Sequence, residues 1–176
     1  AAEFDAAQSF PVVRDPSGLL LPTLGARRRV VDTFTAHGAD SVWFGASAPL
    51  GFLAGSLRSA GARRIVATTH GHEVGWAMLP GARQALRRIG DGCDVVTYLG
   101  DYTRSRLASA FGTRTQLARL TPGVDVTAFH PQLDGTAMRA RYGLSGRPVI
   151  VCVSRLVERK GQDMLIRALP DVRAQV

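Results

Sequence analysis

Val149-Ile150-Val151-Cys152-Val153-Ser154-Arg155-Leu156-Val157-Glu158-Arg159-Lys160-Gly161 is an unbroken apolar run followed by a short basic loop and a glycine. Such a run predicts a strand buried on both faces, as in a parallel sheet. The loop carries Arg155, Arg159 and Lys160, and the pattern beyond Gly161 predicts an amphipathic helix. In open α/β sheets ligands bind beyond the carboxyl ends of the strands, and helix N-termini there favour phosphate. Lys160 is the one lysine of the chain, against 21 arginines. A compact ammonium and a planar guanidinium are not interchangeable at a tight anion site, so its retention here points to an anion. The competing reading is a core strand followed by a solvated loop.

Upstream of this stretch, strand-like and helix-like segments alternate. Phe10-Pro11-Val12-Val13 reads as an edge strand before the turn at Asp15-Pro16-Ser17-Gly18. Residues 25–38 carry a helical pattern, and Ser41 to Phe44 a short strand. Pro49 opens a helix that ends near Gly61. Arg64 to Thr69 is a strand, Pro80 opens a helix stopping at Gly90-Asp91-Gly92, and Val95 to Leu99 is a third strand. A helix over 102–110 and a strand over Gln116 to Leu120 come next, then a short helix over 134–142. This alternation predicts the α/β class, a Rossmann-like parallel sheet with helices on both faces. The turn-rich stretch from Phe129-His130-Pro131 to Gly146-Arg147-Pro148 is the best place for a domain boundary.

Composition narrows the function classes. The 176 residues are 45% hydrophobic, enough for a sizeable core, and no apolar stretch approaches the ~18 residues of a membrane span. Cys93 and Cys152 are too few for a disulfide framework or a metal cluster, which suits a reducing, cytoplasmic setting. The net charge of +8 invites a nucleic-acid partner. However, the arginines are scattered and no aromatic residues interleave with them as a base-stacking platform needs. No nucleic acid is therefore expected, and an anionic lipid surface fits the charge better. The chain does not begin with Met and ends inside an apparent helix, so it reads as a fragment cut at both ends.

Three constellations could carry chemistry. His70-Gly71-His72-Glu73 directly follows a strand. Two histidines two apart at a strand end could ligate zinc; such a site needs further ligands, and only His37 and His130 remain, neither at a strand end. A histidine bonding backbone groups at a strand end is the structural reading, and a catalytic histidine the third. Gly45-Ala46-Ser47-Ala48-Pro49 nearly spells the hydrolase elbow Gly-x-Ser-x-Gly, but Pro49 stands where the tight turn needs glycine, and proline at a first helical turn explains the segment without catalysis. The helix from Pro80 carries Arg83, Arg87 and Arg88, with Arg83 and Arg87 one turn apart. A basic amphipathic helix of this kind is either a solvated face or a membrane-surface contact.

The order of these elements resembles that of family 4 retaining glycosyltransferases of the GT-B fold. Thr69-His70-Gly71-His72-Glu73 is similar to their T-H-G-x-D/E element. Ser154-Arg155-Leu156 with Lys160-Gly161 is similar to S-R-L-x-x-x-K-G. Thr121-Pro122-Gly123-Val124-Asp125 with Phe129-His130-Pro131 resembles P-x-G-V-D…F-x-P. More narrowly, Val42-Trp43-Phe44-Gly45-Ala46, the stretch His70 to Trp76 and Leu86-Arg87-Arg88-Ile89-Gly90-Asp91-Gly92 look like the actinobacterial phosphatidylinositol-mannoside mannosyltransferases of the PimB type.

The resemblance implies a division into residues 1–147, most of an N-terminal acceptor-side domain, and 148–176, the first strand and helix of a nucleotide-sugar domain. It implies that His70 contacts the transferred sugar and that Arg155 and Lys160 grip the diphosphate of GDP-mannose. Gly71, Glu73, Trp76 and Gly123 would line the acceptor side or the cleft, and Arg83, Arg87 and Arg88 would face the membrane. No metal or other cofactor is implied. The partners would be a nucleotide sugar, an inositol lipid acceptor and an anionic membrane surface, with the protein peripheral on the cytoplasmic face of the plasma membrane. The family's opening strand with its glycine-rich loop and its later paired glutamates have no counterpart here, so this fragment alone is expected to be inactive. A non-catalytic anionic-lipid-binding module is the alternative.

Overall fold

The computed structural model describes residues 2–17 and 20–175. They form two compact units, 1–123 and 124–176. The first unit begins with the short helix α1 (Ala2–Ala6) and the longer α2 (Leu24–Ala36), which Thr23 caps by accepting from the Ala26 N–H. Four strands then alternate with helices: β1 (Ser41–Phe44), α3 (Ala54–Ser59), β2 (Arg64–Thr68), α4 (Glu73–Ala77), α5 (Pro80–Gly92), β3 (Val95–Tyr98), α6 (Asp101–Phe111) and β4 (Gln116–Arg119). A 3-10 turn, Leu50–Leu53, leads into α3. The strands lie in the order β1-β2-β3-β4, all parallel. The α/β class and the parallel sheet are those expected from the alternation.

Side chains on a strand alternate between faces. Val42, Phe44, Ile65, Ala67, Val96 and Leu117 feed one core, which they share with Phe34 of α2, Leu57 of α3, Leu86 and Ile89 of α5, and Leu107 and Phe111 of α6. Trp43, Val66 and Thr97, at the alternate positions, line a shallow apolar depression. Asp94 staples the amino ends of the strands, accepting from Arg58 at 2.6 Å and from the Ile65 N–H at 2.7 Å. Two glycines are required by close packing. A Cβ on Gly90 would press on the Phe111 carbonyl of α6, and one on Gly92 would stand 3.0 Å from the Ala54 methyl.

Phe10 to Val13 forms no strand. Pro11 offers no donor to a ladder, and Phe10 and Val13 are exposed. Gly18, in the turn expected after it, lies outside the described residues. The helix from Pro49 is split into the 3-10 turn and α3, and the short α4 has no counterpart in the sequence pattern.

The second unit holds α7 (Thr136–Arg141), a 3-10 turn (Glu158–Lys160) and α8 (Gln162–Gln175). Residues 149–153, expected as a buried strand, make no sheet ladder, and Val153 is 92% exposed. The physical reason is that a strand exists through its partner's hydrogen bonds, and residues 124–175 contain no second strand to supply them. The compact first unit closes at Gly123, and residues 124–147, which the resemblance gave to the first domain, cluster with residues 148–176.

Candidate functional site

The carboxyl ends of β1 and β2 bring two turns together. Gly45 to Pro49 follows β1, and Thr69 to Glu73 follows β2. The Ser47 N–H donates to the Thr68 carbonyl at 2.7 Å, which ties the two turns at their base. Thr69 is fully buried and is held through both its N–H and its hydroxyl by the Thr97 carbonyl, at 3.1 and 2.8 Å. The chain then leaves the sheet edge at His70, whose side chain is exposed. Its Nε2 lies 2.5 Å from the Gly45 carbonyl oxygen. Gly71 has φ +89, a conformation that residues with a side chain rarely adopt. It turns the chain into α4.

Glu73 is not where a substrate could meet it. Its side chain is 0% exposed, and it accepts from the Ser47 hydroxyl at 2.9 Å and from the His70 N–H at 3.1 Å. His72 Nδ1 lies 3.6 Å from the same carboxylate, with the His72 ring half exposed. A buried carboxylate is tolerated only with such donors around it. Trp76 is half-buried and packs against the hydrophobic core. Of the residues expected to line the acceptor side, only Gly71 stands at the His70 turn with an open position beside it.

Ser47, in the segment that only nearly spells the hydrolase elbow, is no nucleophile, as the proline at position 49 had indicated. A hydrolase nucleophile must reach its substrate, but Ser47 is fully buried and its hydroxyl is spent on Glu73. Its burial has no local signal, because it depends on a residue 26 positions away. Among the described residues, no group of three or more His, Cys, Asp or Glu stands together as a metal cage.

On α5, Arg83, Arg87 and Arg88 are all exposed to differing degrees. Arg83 reaches the Ala77 carbonyl at 3.4 Å and Arg87 the Ser109 carbonyl at 3.4 Å. Arg87 thus bridges to the last turn of α6, while Arg88 projects to solvent. Met78 and Leu79, just before α5, are 77% and 62% exposed and form an apolar lip for which the sequence pattern gives no sign. No helix among the described residues is long and apolar enough to cross a membrane. Gly123 lies in an exposed loop at the end of the first unit.

In the second unit, Arg155 and Lys160 are exposed around the turn that precedes α8. Gly161 adopts φ +68, and its carbonyl accepts from Leu165 in the first turn of the helix. Gln162 donates to the Ser154 hydroxyl at 2.6 Å and to the Arg155 carbonyl at 2.9 Å, which fixes the Arg155 backbone against the start of α8. Two cations beside a helix N-terminus are suited to a phosphate.

The chain belongs to glycosyltransferase family 4, whose family model matches residues 3–128. It is 57% identical, over its whole length, to the GDP-mannose-dependent alpha-(1-6)-phosphatidylinositol monomannoside mannosyltransferase of Mycolicibacterium smegmatis, covering 47% of that protein. The protein of the same name in Mycobacterium tuberculosis is 54% identical over 97% of this chain and 44% of its own length. The GDP-mannose-dependent monoacylated alpha-(1-6)-phosphatidylinositol monomannoside mannosyltransferase of Corynebacterium glutamicum is 46% identical over 99% of this chain and 46% of its own length. The chain spans less than half the length of each of these relatives.

Proposed function

We propose that the full-length protein transfers mannose from GDP-mannose to a phosphatidylinositol mannoside with retention of configuration, and that no metal ion takes part. The observation that carries this reading is identity of 46–57%, across essentially the whole chain, to three proteins named for that reaction. The exposed His70 on the turn after β2 supports it. In this reaction the bond between the sugar's anomeric carbon and the diphosphate oxygen breaks, and the acceptor hydroxyl oxygen takes its place on the same face of the sugar. Negative charge grows on the departing diphosphate, and the acceptor's proton leaves with it.

Arg155 and Lys160 stabilise that charge, and stabilisation of developing charge commonly contributes more to catalysis than any other single effect. They belong to a nucleotide-sugar domain that residues 148–176 open, and the parallel sheet and helices of the first unit, which ends at Gly123, form most of the acceptor-side domain. His70 meets a hydroxyl of the transferred sugar, and Gly71 leaves room for it. Met78 and Leu79 precede the helix that carries Arg83 and Arg88, and exposed apolar and cationic side chains together are the pairing that holds peripheral proteins on anionic lipid. The enzyme would thus work at the cytoplasmic face of the plasma membrane, where its nucleotide sugar is found, and without a nucleic-acid partner.

The direct test is transfer of radiolabelled mannose from GDP-mannose to phosphatidylinositol monomannoside by the full-length protein. No labelled lipid would refute the reading. The assignment of the diphosphate grip is tested by calorimetric titration of GDP without added metal. Lys160→Ala and Arg155→Ala should each weaken GDP by roughly 10–150-fold, the worth of one charge-assisted hydrogen bond. Lys160→Arg should recover part of the loss, and Arg159→Ala should bind normally. Equal losses in Arg159→Ala and Lys160→Ala would reduce the effect to diffuse charge.

A further inference from the structure

Ser47 and Glu73 are both fully buried, and neither can touch a substrate. Their hydrogen bonds nevertheless converge on His70. Glu73 Oε1 accepts from the Ser47 hydroxyl and Oε2 from the His70 N–H. The Ser47 N–H is anchored on the Thr68 carbonyl, and the His70 ring returns to Gly45, two residues before Ser47. The result is a closed ring of hydrogen bonds joining the turn after β1 to the turn after β2. A carbonyl oxygen can only accept, so at the 2.5 Å contact the ring proton must sit on Nε2. In the neutral imidazole this leaves Nδ1 with the free lone pair.

We propose that Ser47 and Glu73 are positioning residues that hold the Gly45 carbonyl against His70, fixing its Nε2–H tautomer and leaving Nδ1 to meet a hydroxyl of the transferred sugar. The role given to the sugar rests on the transferase reading above; the tautomer lock does not. The chemistry of the partners makes the proposal specific. In Glu73→Gln the amide oxygen still accepts from the His70 N–H. Its NH2 donates to the Ser47 hydroxyl, which can rotate to accept. Glu73→Leu fills a similar volume but leaves the His70 N–H without an acceptor. Ser47→Ala removes one side of the ring of bonds with almost no change in volume.

The experiment has two arms. In the first, 15N spectra of the histidine rings are recorded on this chain at pH 8, with His70 assigned by its loss in His70→Ala. Wild type should show a protonated Nε2 and a bare Nδ1 at His70. Ser47→Ala and Glu73→Leu should average the two tautomers, and Glu73→Gln should stay close to wild type. If Glu73→Leu does not fold, Ser47→Ala carries the test. A protonated Nδ1 in wild type, or an unchanged His70 ring in Ser47→Ala, would overturn the lock.

In the second arm, turnover is measured in the full-length enzyme. Ser47→Ala should lower kcat by about 10–100-fold, as small misplacements of a reacting group do, with the donor KM unchanged. In a His70→Ala background it should cost nothing further, because residues that act through one another are not additive. Equal losses in both backgrounds would show a general structural role instead. If wild type transfers no mannose, the transferase reading fails while the ring spectra still decide the lock.

Discussion

Gly90→Ala tests how closely α5 and α6 are packed. Gly90 is buried, and an added Cβ would press on the Phe111 carbonyl oxygen, 3.0 Å from its carbon and 3.2 Å from the Phe111 Cα. Ordinary contacts of a Cβ lie at 3.4–4 Å, and all three atoms are backbone, so no side chain can rotate away. One helix must slide, and overpacking of this kind costs typically 1–3 kcal/mol. The upper end applies, because Phe111 is itself fully buried and packed in the core. Alanine returns up to about 1 kcal/mol in helix propensity, leaving a net loss of about 2 kcal/mol.

At about 4 °C per kcal/mol for a domain of this size, the melting temperature should fall by roughly 8 °C. The control is Gly55→Ala in α3, where the position is exposed and nothing lies within 4 Å of the new methyl. There the propensity gain stands alone, and Tm should rise by up to about 4 °C. Thermal melts followed by circular dichroism at 222 nm read both. A Gly90→Ala protein that melts at or above wild type would show that the two helices do not approach as described.

Three further outcomes depend on particular residues. Burial pushes the Asp94 carboxyl up, but the Arg58 hydrogen bond, the Ile65 N–H and the charges of Arg58 and Arg64 outweigh it, so its pKa lies below the ordinary value of 3.8. A depressed carboxylate contributes stability that is complete above the unfolded pKa and lost as pH falls through the folded one. Tm should therefore drop below about pH 4, more shallowly in Asp94→Asn; identical acid limbs would refute the staple. Burial pushes the Cys93 thiol up to about 11, whereas Cys152 is exposed. Iodoacetamide at pH 8 should label Cys152 within minutes and Cys93 only after unfolding, and equal rates would contradict the burial. In the full-length enzyme, His70→Ala should lower turnover by about 10²–10⁴-fold while GDP affinity stays near wild type; unchanged turnover would make His70 a structural residue.

Local pattern and breakers determined most of the elements. Four short apolar runs became β1 to β4 within a residue of the expected limits, and Pro80 opened its helix as proline at a first turn does. The position of His70 just beyond a strand was legible too, because a strand end is marked by local sequence. What the sequence by itself could not decide was every feature that depends on a distant partner. Ser47 and Glu73 are 26 positions apart, and only folding turns a candidate nucleophile and a candidate lining residue into one buried pair. The requirement for glycine at position 90 comes from a carbonyl 21 residues later, on another helix. The apolar run 149–153 reads as a strand by composition, yet strandedness is a property of a ladder, and among residues 124–175 there is no second strand to complete one. Periodicity is written residue by residue and survives in the chain alone; burial, pairing and close approach exist only between segments, and the tertiary structure decides them.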